Sequence, residues 1–463
     1  MQRFNKVIFY LTVFLSVFMP FRELIALYTS SYIKFLPDLL IWPLFFVFVV
    51  LSRFRLKFRC FDLAFLGFLG VGLISTLLNG SSLLAFALQL RSITTFYVYF
   101  YLCRNLEFKE SEIKIIRRTL CSVVLFLSAF AIIEYLFNKQ ILFPILWREG
   151  IVAELNYLRV YSLMNNPNTF AFFCLLCMTF VYITKKGSLK TWHFAFFSVG
   201  LLNILFSASR STLILAAPFF LILFAGFLLR CKFKKAVYTL LSVALAVGMV
   251  AVAAPIKNAI QSNIKISANE NIGETAEGEK TDSAPQSTEE ESEDNLTAEE
   301  KSPSFNPEGG VAIIDRLDEF SSNQVLKDSD TNGRIGVIKK GLKIWGDHPV
   351  FGTGFGTFGS AGSRMVTPEI YEKYNLPKDL YSDNEYIKVL VETGIVGSAV
   401  YIAFLILFLG YCLKNKKALL LFASILFMGM FYNIFEMQVL CFVFYLALSI
   451  IRNGIAKENT KNI

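Results

Sequence analysis

The hydrophobic pattern divides the chain into twelve apolar runs, near 7–27, 37–52, 62–78, 83–103, 118–137, 166–183, 191–207, 211–229, 236–255, 385–411, 417–432 and 435–451. A bilayer core about 30 Å thick needs about 20 predominantly apolar residues in helical form. The runs therefore predict an all-α fold: a polytopic membrane bundle of about 12 transmembrane helices, with a large external loop that contains short helices. The first run has no small-residue cleavage site after it and ends at Arg22-Glu23, so it reads as a span and not as a removed leader.

Between the ninth and tenth runs the pattern changes twice. Residues 262–308 are rich in Glu, Ser, Thr and Ala and centre on Glu289-Glu290-Glu291-Ser292-Glu293-Asp294. Such a composition cannot bury enough apolar surface to fold, so a disordered acidic insertion is expected. Asn295-Leu296-Thr297 within it fits a glycosylation sequon, a pattern met often by chance. Apolar periodicity returns at Ile313, Ile314 and Leu317. It returns again at Ile335, Ile338, Leu342 and Trp345, one face of a helix expected over 334–346. The expected organisation is a bundle of nine spans over 1–255, the insertion over 256–308, an external loop domain over 309–384, and spans ten to twelve with a tail over 385–463.

Charge fixes the orientation. Basic clusters follow the even-numbered runs: Arg53, Arg55, Lys57 and Arg59; Arg104, Lys109, Lys114, Arg117 and Arg118; Lys185, Lys186 and Lys190; Arg230, Lys232, Lys234 and Lys235; Lys414, Lys416 and Lys417. Cytoplasmic loops carry such an excess. Both termini are thus expected in the cytoplasm and 256–384 outside. The net charge of +9 is accounted for by these anchors and does not indicate nucleic acid. The eight cysteines fall in spans or at their cytoplasmic ends, so no external disulfide framework is expected, and Cys174-x-x-Cys177 inside an apolar helix reads as packing.

Against this topology a few polar residues stand out on the outer side. Arg159 precedes Tyr161-Ser162-Leu163-Met164-Asn165-Asn166-Pro167-Asn168, which also reads as a helix start. Arg210 lies in the short turn Ser207-Ala208-Ser209-Arg210-Ser211-Thr212, and Arg91 in the outer half of span four. A cation at such a depth costs a few kcal/mol (about 2.5–3.5 on insertion scales) unless it is paired or faces a wet cavity. The loop domain adds Arg334, His348, the run Gly352-Thr353-Gly354-Phe355-Gly356, and Asp383-Asn384 at the mouth of span ten. The glycine run demands close backbone approach. It has neither the spacing of a dinucleotide fingerprint nor the Gly-Lys-Ser/Thr of a phosphate loop. No His, Cys or carboxylate cluster has metal-ligand spacing, and no cofactor is indicated. The other histidine, His193, sits near a cytoplasmic interface.

Arginines at the outer face suit a pyrophosphate, which takes charge-assisted, often bidentate contacts. A carboxylate near them suits a general base for a hydroxyl acceptor. Arg159–Asn168, Ser207–Thr212, Gly333–Phe358 and Asp383–Gly397, in that order on one side of a membrane, resemble the O-antigen ligase and O-antigen polymerase superfamily of bacterial envelope glycosyltransferases. The resemblance implies a metal-independent enzyme of the inner membrane that acts on an undecaprenyl-pyrophosphate-linked glycan. Its implied partners are membrane lipid and other polysaccharide assembly proteins. In ligases of that family the last motif has a histidine before Asn, Ser or Gln, then nine residues and Gly-x-x-Gly. This chain has Asp383-Asn384, nine residues and Gly394-Ile395-Val396-Gly397. The spacing is kept and the histidine is replaced, which favours a repeat-unit polymerase over a ligase. Asp383, Asn384 and His348 are the catalytic candidates, and Arg159, Arg210, Arg334 and Arg91 the pyrophosphate-binding candidates. A lipid-linked glycan transporter and a non-catalytic scaffold remain alternatives. A transporter would show internal repeats, which this sequence lacks. Deletion of residues 265–305 is expected to leave glycan chain length nearly unchanged on a gel of the surface polymer. A shortened polymer would give the insertion a role.

Overall fold

A computed structural model of the chain describes residues 2–137, 159–185, 187–276 and 334–461. Among them the order of helices is α1 (Gln2–Tyr28), α2 (Leu36–Leu51), α3 (Cys60–Leu78), α4 (Leu83–Arg104), α5 (Glu110–Phe137), α6 (Pro167–Thr184), α7 (Thr191–Phe206), α8 (Arg210–Leu228), α9 (Phe233–Ala276), α10 (Arg334–Asp347), α11 (Ile370–Lys373), α12 (Glu385–Leu413), α13 (Lys416–Gly429) and α14 (Gln438–Lys461). Every expected span coincides with a helix. Nine are long and apolar enough to cross a membrane, and α7 and residues Gln438–Ile451 of α14 are shorter apolar helices.

α6 is the most enclosed span, with 78% of its length buried. Cys174 and Cys177 lie on it as buried, unbridged thiols. On the side formed by α3, α4, α12 and α14 the core is built from aromatic rings. Phe65 stacks on Tyr97 at 3.9 Å and Phe100 on Tyr445 at 5.2 Å, and Phe61 meets Phe408 edge-on at 5.0 Å. Lipid is as apolar as these side chains, so close packing and polar pairing must hold the helices together. At the inner end Arg104 donates to both Asp62 oxygens (2.8 and 2.6 Å) and Tyr97 donates to the same carboxylate (2.6 Å).

Two boundaries differ from expectation. α9 continues to Ala276, so residues 256–276 are helical and not part of an unfolded insertion. A helix nucleated in the membrane propagates easily through residues without Gly or Pro, and Pro255 and Gly273 leave a clear stretch between them. The rest of the insertion, its sequon and the helix expected at 313–317 lie outside the described residues. In α10 the buried side chains are Val337, Gly341 and Ile344, while Ile335 and Leu342 of the expected apolar face are exposed.

The feature that positions the outer face is a break in α12. Gly394 has φ 63° and ψ −162°, outside helical geometry. A break inside a membrane helix frees backbone groups that must find partners. The segment after α10 supplies them. Thr353 N donates to Val391 O (2.9 Å), Gly354 N to Glu392 O (3.0 Å), Ile395 N to Pro349 O (2.9 Å) and Val396 N to Val350 O (3.2 Å). A Cβ on Gly394 would lie 2.3 Å from Val350 O, and one on Gly352 2.4 Å from Val391 O. The glycine run then threads between helices: Ser75 and Ser81 of the α3–α4 corner donate to Phe351 O and Thr353 O, Phe355 N donates to Thr76, and the Phe355 ring packs on Phe68 and Phe86.

The break folds the first nine residues of α12 across the bundle. Unbroken, α12 would put Glu385 about 42 Å from Leu413, at 1.5 Å per residue. Yet Asn384 Nδ2 donates to Met430 O (3.1 Å) and Tyr386 Oη to Leu426 O (2.7 Å), at the far end of α13. α13 is only 14 residues, or about 21 Å, long. These first nine residues of α12 must therefore lie over the bundle, with α10 alongside them.

Gly394→Ala is expected to lose roughly 1–3 kcal/mol from the strained φ alone, and more from the clash. Gly410→Ala on the same helix, where a Cβ meets nothing within 4 Å, should be neutral or slightly stabilising. Thermal unfolding of the two variants in detergent, followed by size-exclusion fluorescence, checks the contrast; equal melting would remove the structural role of the break.

Candidate functional site

Four chain segments meet at one end of the bundle, the end expected outside, each fixed by its own local chemistry. In the first, the carboxylate of Glu134 on α5 accepts from the backbone of Tyr161 (3.1 Å) and Ser162 (2.6 Å), and Ser162 Oγ donates to Leu127 O (2.7 Å). Asn165 takes a left-handed conformation (φ 57°) and Asn166 caps α6, accepting from Asn168 N and Thr169 N at 3.0 Å each. Arg159 is held in this frame: its Nε donates to Ser207 O (2.9 Å), its Nη2 reaches Asn168, and the residue is buried.

Ser207 O belongs to the second segment, the turn before α8. Ala208 has φ 49°, Ser209 is the N-cap and its hydroxyl pairs with that of Thr212 (3.0 Å). Arg210 is the first residue of α8 and is half-buried. The helix N-terminus adds positive potential here.

The third segment joins α13 to α14. Asn433, fully buried, donates to Gly359 O (2.8 Å) and accepts from Ser382 Oγ. Glu436 accepts from Ala361 N (2.8 Å), Gln89 Nε2 (2.7 Å) and Lys388 Nζ, while Lys388 also pairs with Glu385 (3.0 Å). Breaking such a buried pair costs about 3–5 kcal/mol, because it strands a charge. The network fixes Tyr432, which precedes it, as the centre of the site. Arg334 Nη2 donates to Tyr432 Oη (3.1 Å) and its guanidinium lies 5.3 Å from that ring and 5.7 Å from Phe431. Ser211, Asp383 and Arg159 lie within interaction reach of the same hydroxyl.

The fourth segment carries Asp383, at φ 48°, and Asn384. Arg334 Nε stands 3.6 Å from Asp383 Oδ2, longer than the about 2.7–2.9 Å of a tight charge-assisted bond. Burial raises the Asp383 pKa and Arg334 opposes the rise. Burial also works against the Arg334 charge, but Tyr432 and Asp383 outweigh it and the guanidinium stays charged. Asn384 is the cap of α12, accepting from Tyr386 N and Ile387 N at 3.0 Å each, and its amide ties down Met430. The cap of α12 is thus Asn384, which leaves the Asp383 carboxylate for the site.

Arg334 and Asp383 are brought together at Tyr432, with Arg159 and Ser211 within electrostatic reach of its hydroxyl and Arg210 next to Ser211 in sequence. Arg91 and His348 are not part of this group. Arg91 donates to Asp38 (2.7 Å) and stacks 4.1 Å over Phe35, a paired cation between α2 and α4. His348 sits in the loop after α10, where its backbone carbonyl accepts from Gly352 N (3.1 Å); among the described residues its ring makes no hydrogen bond. Tyr432, Glu436, Lys388 and Glu134 were missed because they lie inside apolar runs. The signal was available for the last three: an ionisable residue within a span marks a paired or functional position.

Residues 193–402 match the family model described as O-antigen ligase. The match covers Arg210, Arg334, His348, Asp383 and Asn384. It supports the O-antigen ligase and polymerase superfamily, and with it membrane processing of a lipid-linked glycan by a glycosyltransferase-like enzyme. No curated protein matches the chain.

Tyr432→Phe removes the hydroxyl to which Arg334 donates. Hydrogen bonds to charged groups contribute about 1.5–3 kcal/mol, so glycan processing should fall about tenfold or more while the melting temperature holds. Asn384→Ala should do the reverse first, losing about 1 kcal/mol of stability through the cap. Parallel melting curves and glycan profiles of the two variants test the division of roles.

Proposed function

We propose that the chain polymerises undecaprenyl-pyrophosphate-linked oligosaccharide repeat units into a cell-surface polysaccharide, at the outer face of a bacterial inner membrane. The observation that carries this is the grouping of Arg159, Arg334 and Asp383 around Tyr432, beside Arg210. The acceptor hydroxyl oxygen attacks the anomeric carbon of the donor sugar. The bond from that carbon to the pyrophosphate oxygen breaks, and its electron pair leaves with the lipid pyrophosphate. Arg159, Arg210 and Arg334 hold the leaving group, whose charge grows in the transition state, and interactions that strengthen there accelerate the step. Asp383 takes the hydroxyl proton. Its raised pKa brings it nearer the operating pH, which suits a general base.

A second reading, transfer of finished glycan to a lipid or protein acceptor, is favoured by the ligase description of the matched family. The aspartate where ligases carry histidine favours polymerisation. The two separate in a deletion strain: loss of a polymerase leaves single repeat units, and loss of a ligase leaves long polymer on the lipid carrier.

Arg210→Ala and Arg334→Ala are each expected to abolish chain extension with the protein still inserted. Normal polymer length in both would remove the arginine assignment. Asp383 must be ionised to act, and burial raises its pKa, so the rate should fall on acidification at a higher pH than an ordinary carboxylate would give. Asp383→Asn should abolish that limb together with the activity. A flat acid limb in the wild-type pH–rate profile would exclude Asp383 as the base.

A further inference from the structure

α10 has two apolar faces. Val337, Gly341 and Ile344 pack inward; a Cβ on Gly341 would lie 2.7 Å from Ile387 and 3.2 Å from Phe358. Ile335 and Leu342, two turns apart, remain 42% and 43% exposed, with half-buried Ile338 and Trp345 on the same side. Exposed Lys339 and Lys343 border that stripe. A helix that is apolar on a second side, with lysines along the edge, has the composition of one lying in a membrane interface.

Continuity with the lipid-facing surface says what covers it. On α12 the exposed side chains Ile395, Ile402, Ile406 and Leu413 form one stripe facing outward from the bundle. It ends at Ile395, whose N–H is bonded to Pro349 O just after α10, and Val350 beside it is 53% exposed. At the other end of α10, Arg334 stacks on Phe431, next to exposed Met430 at the outer end of α13. Because α12 folds over at Gly394, α10 lies across the bundle at this level and does not project from it.

We infer that α10 is an interfacial helix whose Ile335/Leu342 stripe seats in the outer leaflet, with Lys343 on anionic headgroups. The helix thereby holds its own first residue, Arg334, at headgroup depth, where the phosphates of a membrane-anchored substrate stand. The link to catalysis rests on the proposed glycan transfer; the location of the helix does not.

The test is a nitroxide on Leu342→Cys in the full chain, in lipid nanodiscs containing phosphatidylglycerol, with the exposed Cys60 and Cys231 changed to Ser. Labels at Ile402→Cys and Lys378→Cys give the lipid and water references. The ratio of oxygen to nickel-chelate accessibility at 342 is expected several-fold above that at 378 and close to that at 402, and to drop when phosphatidylcholine replaces the anionic lipid. A ratio matching 378 would overturn the proposal in favour of solvent. Protection from both probes would overturn it in favour of a protein partner or a second copy. Neither readout needs glycan activity, so a failed polymerase assay and a misplaced helix are distinguished.

Discussion

The outer half of this molecule depends on an exchange of backbone hydrogen bonds between a broken helix and the loop that enters the break. A membrane helix interrupted at Gly394 would leave amides and carbonyls without partners in a medium that offers none. The Pro349–Gly354 segment satisfies them residue for residue, and does so at distances that a side chain on Gly352 or Gly394 would forbid. From that exchange follow the folding-over of the first turns of α12, the position of α10 beside them, and the delivery of Arg334 and Asp383 to the same place. The loop is thus part of the span it interrupts.

A second layer makes the placement rigid. Glu436 gathers a backbone amide of the loop, an amide from α4 and a lysine from α12 onto one carboxylate. Asn433 does the same for Gly359 and Ser382. Tyr432 is adjacent to both and is buried to within 3% of full enclosure. Its hydroxyl is fixed before any substrate arrives, as electrostatic preorganisation requires. The arginines differ in this respect. Arg159 is enclosed and doubly bonded, whereas the Arg334 side chain is 42% exposed.

The spans were legible because lipid imposes a simple rule on length and composition: each of the twelve runs is a helix, and among the described residues nine are long enough to cross a membrane. Arg159, Arg334 and Asp383 were legible for the complementary reason: polar residues on the outer side of an apolar chain are few. The organisation between them was less so. At Gly394 nothing local in the sequence distinguishes a break from a close contact. The inward face of α10 was misread because two apolar stripes share one helix, and periodicity ranks the richer one, Ile335 to Trp345, above the one that includes Gly341. Tyr432 was hidden at the end of a run that continued through it. Arg91 carried the same outward signal as Arg159, and only the fold shows that Asp38 matches it.

The long ion pair between Arg334 and Asp383 gives the proposed chemistry a sense of timing. Each group is the other's counter-ion, and the guanidinium opposes the rise in the carboxylate's proton affinity. A pyrophosphate would compete for Arg334 with more charge and better geometry. As Arg334 turned to it, Asp383 would lose its counter-ion while staying half-buried, and its affinity for a proton would rise. The base would then be quiet while no donor is bound and strengthened by the donor's arrival, which protects the site from idle proton traffic and couples acceptor activation to occupancy.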